Sequence, residues 1–131
     1  MSWLDALERI ALVFTKNITS AANAGDVTIA TVAGQACLIK GIVVRANAAQ
    51  TADLTGITVT GGTSKVVTFI DAVTGIRGNI AATDQQVAWA GLVELPSAAT
   101  IVMTLSGSGA TAVDLQVSIE YVPILSGGYL A

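Results

Sequence analysis

The chemistry open to this chain is limited first by a residue it lacks: among 131 residues there is no histidine. Without an imidazole there is no Ser-His-Asp or Cys-His nucleophile system, no histidine proton relay and no zinc site of the usual mixed kind. The one thiol, Cys37, stands beside Leu38 and Ile39 in an apolar run, where a free cysteine acts as a small hydrophobe, and a single cysteine forms no internal bridge. Asp26, Asp53, Asp71 and Asp84 are each isolated among Gly, Ala or Thr. Turns and strand ends favour such residues, because a short carboxylate accepts local backbone hydrogen bonds there. No D-x-D-x-D-G run marks a calcium loop, and an acid pair for glycosidic chemistry would have to be assembled in space. Gly61-Gly62 and Gly107-Ser108-Gly109 lack the following helix and lysine of a phosphate cradle and read as hairpin turns. Trp89 and Phe69 offer stacking surfaces for a sugar or base, but in alternating strands such rings belong to a core. Asn17-Ile18-Thr19 matches a glycosylation sequon, an incidental match without an export signal. The residues therefore predict no catalytic centre, no cofactor and no metal.

Composition narrows the partners. Hydrophobic residues make up 53% of the chain and charged residues 11%, with a net charge of −3, against about 25% charged in ordinary soluble domains. Six Lys plus Arg against nine Asp plus Glu leave no basic patch for nucleic acid. The longest uncharged stretch, Leu95 to Val113, contains Pro96, Ser97, Thr104, Gly107 and Gly109, a strand-turn-strand pattern and no membrane helix. Asp5 and Glu8 stand where a signal peptide needs positive charge. The expectation is a soluble chain that engages neither membrane nor nucleic acid, long enough for one core without disulfides.

The elements that would position these residues fall into two patterns. Trp3, Leu4, Leu7, Ile10, Ala11 and Phe14 recur at spacings of three and four, with Asp5, Glu8 and Arg9 opposite, which predicts a short amphipathic helix. So short a helix needs a surface to pack on, either its own domain or a neighbouring subunit. From Asn17 the period changes to two. Candidate strands are Val27 to Thr31, Ala36 to Ala46, Ile57 to Thr60, Lys65 to Asp71, Asn79 to Ala82, Val87 to Leu95, Ile101 to Leu105 and Val113 to Tyr121. In the last of these, Val113, Leu115, Val117, Ile119 and Tyr121 face one way while Asp114, Gln116, Ser118 and Glu120 face the other. About eight short strands at intervals of about 8 to 12 residues predict an antiparallel β-sandwich of jelly-roll type. The division is an N-terminal helical arm over residues 1–16 and a sandwich over 17–131.

Outward strand positions carry Thr, Ser, Ala and Gln where a free monomer carries Lys or Glu. Obligate interfaces are depleted in charge, so a neutral surface predicts contact with identical copies or a lattice; a compositional bias toward small residues is the competing explanation. The glycine-flanked strand Val32-Ala33-Gly34-Gln35-Ala36-Cys37-Leu38-Ile39-Lys40-Gly41-Ile42-Val43, together with the terminal run Tyr121-Val122-Pro123-Ile124-Leu125-Ser126-Gly127-Gly128, resembles small jelly-roll structural proteins of tailed-phage virions, the head-decoration or cement proteins among them. The resemblance implies a non-enzymatic protein of the virion, assembled in the host cytoplasm. It further implies a homo-oligomer, a trimer before other forms, seated on a shell of major capsid protein that it stabilises. A phage tail or fibre-base protein is the alternative, as is a sandwich module that binds carbohydrate or peptide. The expected contact residues are Trp3, Leu4, Leu7, Ile10 and Phe14 of the helix and Pro123, Ile124, Leu125, Tyr129 and Leu130 of the C-terminal segment, with Gly127-Gly128 freeing the tail to reach outward.

Overall fold

The computed structural model describes residues 11–19, 25–51, 53–107, 113–124 and 127–131. Nine strands follow one another: β1 (Leu12–Ile18), β2 (Gly25–Ala33), β3 (Cys37–Ala46), β4 (Leu54–Gly62), β5 (Val67–Ile70), β6 (Gln86–Leu95), β7 (Thr100–Gly107), β8 (Leu115–Pro123) and β9 (Tyr129–Leu130). They form two antiparallel sheets, β1-β8-β3-β6 and β5-β4-β7-β2-β9. Strands 1 and 8, 2 and 7, 3 and 6, and 4 and 5 are hydrogen-bonded neighbours. Those are the pairs of one long antiparallel hairpin, with its turn between β4 and β5, rolled so that alternate stretches fall in opposite sheets.

Alternation drives the roll. Along the first sheet the inward row Phe14, Ile119, Ile42 and Trp89 is in register, and in the second the row Val27, Met103, Val59 and Ile70 is likewise aligned. Ile119, Ile42, Met103 and Val59 are fully buried. Burying side chains of this size contributes about 1.5 to 3 kcal/mol each, and a slip of one residue would turn a whole row to solvent. β-bulges interrupt the register between Ile39 and Gly41 and between Thr28 and Ala30.

Two expectations are corrected. The amphipathic helix does not extend to Phe14, because Leu12, Val13 and Phe14 are extended in β1 and paired with Tyr121, Glu120 and Ile119. Leu12, Phe14 and Ile18 also fit a period of two, and the open side of β8 supplies backbone partners that a marginal short helix lacks. Trp3, Leu4, Leu7 and Ile10 lie outside the described residues, and among those described the helical structure is a 3-10 turn at Arg77–Asn79. That turn also replaces the strand expected over Asn79 to Ala82. Ile80 is buried not by alternation but as the residue that closes the turn, its N–H donating to the Arg77 carbonyl at 3.0 Å. β9 was not foreseen: two residues carry no readable period.

Candidate assembly surface

The residues able to do chemistry are dispersed into structural roles. Cys37 is fully buried, and burial pushes its thiol pKa up. Asp71 accepts the Thr74 N–H at 2.8 Å, which holds its carboxyl below the usual carboxylate range. Asp84 pairs with Arg45, and Asp26 with Lys65 and with the Thr104 hydroxyl at 2.7 Å. The hydrogen bond from Lys65, then that from Thr104, lowers the Asp26 pKa. Among the described residues no three His, Cys, Asp or Glu side chains converge, and no helix is long and apolar enough to cross a membrane. Trp89 and Phe69 meet inside the sandwich edge to face, with ring centroids 4.7 Å apart. A groove of about 140 Å³ between β4 and the turn after β5 is lined by Thr55, Gly56, Ile57, Thr58, Ala72 and Ser106; it presents hydroxyls and no titratable group.

The loops are held by neutral or single-charge clamps. Arg77 donates to the Leu54 carbonyl at 2.9 Å, to Gln50 at 3.1 Å and to Thr51. Gln50, 5% exposed, donates to the Ala48 and Asp114 carbonyls and accepts from the Asp114 N–H at 2.9 Å. Together they pin the loop after β3 to the start of β8 and to the 3-10 turn.

What remains available is surface. The outer row Thr15, Ser118, Val43 and Ala88 crosses all four strands of the first sheet, followed by Val13, Glu120, Gly41 and Ala90. Its charges are few: Glu120 faces Lys40 at 3.9 Å, Arg45 is held by Asp84, and Glu94 lies near one end. Exposed pairs of this kind contribute about 0 to 1 kcal/mol. On the second sheet the rows Asp26-Thr104-Thr58 and Thr28-Val102-Thr60-Thr68 hold five threonines, with Val102 and the Thr60 hydroxyl buried. Both outer faces therefore carry mostly small side chains and little net charge.

The sequence-predicted contact residues divide between surface and core. Trp3, Leu4, Leu7, Ile10 and Leu125 lie outside the described residues. Phe14 packs against the core, and Leu130 is buried. Pro123 is half-buried opposite Cys37, while Ile124 and Tyr129 are exposed. The C-terminal segment does not swing free. Thr31 and Ala131 exchange backbone hydrogen bonds at 2.8 and 2.9 Å, β9 pairs with β2, and Gly34, at φ 75°, passes so close to the Gly127 carbonyl that any Cβ would collide with it. Sequence reasoning missed exposed Val13, which the helical reading hid, and Leu92, 69% exposed. Gly91 beside Leu92 was the available signal, since glycine inside a strand marks a bulge.

No protein-family model matches the chain, and no curated protein sequence matches it. Solved structures do. A chain in the acid-stable capsid structure of Helicobacter pylori bacteriophage KHP30 superposes with a TM-score of 0.58 at 12% identity, covering 94% of each chain. A chain in the capsid asymmetric unit of cyanophage Pam1 gives a TM-score of 0.55 at 16% identity, covering 85% of this chain and 83% of that one. At these identities the likeness is one of fold.

Proposed function

We propose that this protein is a non-enzymatic structural component of a phage virion, a capsid-decorating protein that assembles with copies of itself and with shell subunits. The observation that carries the reading is the two-way coverage: 94% of this chain matches 94% of a chain in a phage capsid structure. The match runs over nearly the full length of both chains. The rolled-hairpin strand order supports a jelly roll, an architecture shared by viral capsid domains and lectins. Low charge and threonine- and alanine-rich faces support close packing against neighbours. The Phe69–Trp89 contact takes from the carbohydrate-module reading its aromatic platform.

In this reading the protein works by avidity. Each copy adds contacts across a seam between shell subunits, and an oligomer, a trimer in the form proposed, multiplies weak sites into firm seating. The contacts proposed are Trp3, Leu4, Leu7 and Ile10 of the N-terminal segment, with Ile124, Leu125 and Tyr129 at the other end. Immunogold electron microscopy of purified virions, with antibodies raised against the chain, tests the reading. Label over the head surface is expected; label confined to the tail would overturn the decorating role, and virions without label would overturn the virion role altogether.

A further inference from the structure

Each sheet of an open sandwich ends in two edges, and an exposed edge presents unpaired N–H and C=O groups ready to bind another strand. Here the four edges are β1 and β6 of one sheet, β5 and β9 of the other. Three are guarded. β5 has four residues, too short to template a partner. β9 has two and covers β2 only over residues 31–33, and on the open stretch of β2 before them the Thr28 carbonyl is taken by Lys16. β1 has seven, but Lys16 shares the inward row with buried Val117 and sends its ammonium to the Thr28 carbonyl of the opposite sheet at 2.9 Å. An inward-pointing charge is a recognised guard on edge strands.

β6 has none of these protections over residues 86–90, the half before the bulge at Gly91 and Leu92. It is ten residues, Gln-Val-Ala-Trp-Ala-Gly-Leu-Val-Glu-Leu, with no lysine, arginine or proline and one charge, Glu94. Its register with β3 fixes which groups are free. Ala46 N–H donates to the Gln85 carbonyl and Asp84 N–H to that of Ala46, both at 2.8 Å. In an antiparallel ladder hydrogen-bonded and non-bonded pairs alternate, so Val44 and Ile42 exchange their bonds with Val87 and Trp89, and Gln86, Ala88 and Ala90 aim their N–H and C=O groups at the open side. Among the described residues nothing pairs with that side. The side chains flanking it are alanine, glycine and exposed Leu92.

We propose that β6 pairs antiparallel with β6 of a second copy, joining two four-stranded sheets into one continuous eight-stranded sheet about a two-fold axis. The occupant is set by self-complementarity. An isologous contact brings the same strand to itself in reverse, which puts the two Glu94 carboxylates at opposite ends of the ladder, each toward the Gln86 amide of the other copy and the Arg45 row beyond it. Parallel pairing would bring the carboxylates together. The contact goes beyond the capsid reading and holds with or without a shell.

Two variants test it in the full chain. Ala88→Pro removes an N–H that faces the open side and leaves the ladder to β3 intact, as edge strands permit; Ala90→Lys adds a guarding charge on the outer face. Light scattering is expected to give wild-type protein an even number of chains and each variant half that mass, with cooperative thermal unfolding retained. Hydrogen exchange is expected to protect the Ala88 and Ala90 amides in wild type and to release the Ala88 amide in Ala90→Lys, while Val87 and Trp89 stay protected in both. A monomer, or an odd-numbered oligomer whose mass neither variant changes, would overturn the pairing and leave the capsid reading standing. Halved mass together with virions free of label would instead overturn the capsid reading and leave the pairing intact.

Discussion

The indole of Trp89 meets the ring of Phe69 edge to face at 4.7 Å and 70°, and so joins β6, the edge of one sheet, to β5, the edge of the other. On the opposite side Lys16 of β1 bonds to Thr28 of β2. One open side of the sandwich is thus closed by an aromatic pair and the other by a cation on a carbonyl. Edge-to-face pairs add about 0.5 to 1.5 kcal/mol beyond the area they bury, and truncating a packed aromatic costs about 3 to 5 kcal/mol. Phe69→Ala is expected to lower stability by an amount in that range in chemical unfolding, and a double-mutant cycle with Trp89→Ala to show a coupling of about 1 kcal/mol.

Arg77 serves three backbone carbonyls, those of Gln50, Thr51 and Leu54, and among the described residues it has no carboxylate partner. Arg77→Met keeps the stem and removes the donors. Buried acceptors left unsatisfied cost about 1 to 3 kcal/mol each. The variant is expected to lose stability in proportion and to expose the 47–53 loop to limited proteolysis, with the sheets otherwise intact.

Without histidine no side chain of ordinary pKa titrates between about pH 5.5 and 8, so side-chain ionisation is expected to leave stability nearly flat there. Asp26 and Asp71 have folded pKa values held below the usual range. A depressed carboxylate stabilises the fold above its unfolded pKa, and the contribution is lost as pH falls through the folded value. Thermal midpoints should therefore fall only below about pH 4. Asp26→Asn is expected to flatten part of that decline, by less than about 1 kcal/mol because the pair with Lys65 is half exposed and screened. A decline already present at pH 6 would contradict this assignment.

Because β1 begins at Leu12, a chain lacking residues 1–10 keeps every described strand. It is expected to fold with an unchanged cooperative melt, to retain the β6 contact and to lose binding to phage shells stripped of the protein, as measured by cosedimentation. Binding that survives the truncation would move the shell contact to the sandwich itself.

The strands with strong alternation were legible in the sequence: Val113 to Tyr121 reads as one wet and one dry face and forms β8. Legibility failed where two periods coincide. Leu7, Ile10 and Phe14 fit a helix, Leu12, Phe14 and Ile18 fit a strand, and only the vacant side of β8 decides between them for residues 12–14. Ile80 failed for a different reason, since an apolar residue closing a 3-10 turn carries no period. The candidate surface was legible as a deficit of charge, because flat contact needs small neutral side chains on outward positions such as Thr15, Ser118 and Ala88. Edge identity was not legible, for it depends on which strands end each sheet and so on the complete topology.

The central claim is tested most directly by quantitative mass spectrometry of purified virions, measuring copies of this chain relative to the major shell protein. A decorating protein predicts a fixed ratio of the same order as the shell subunit itself. A few copies per particle, or none, would contradict it.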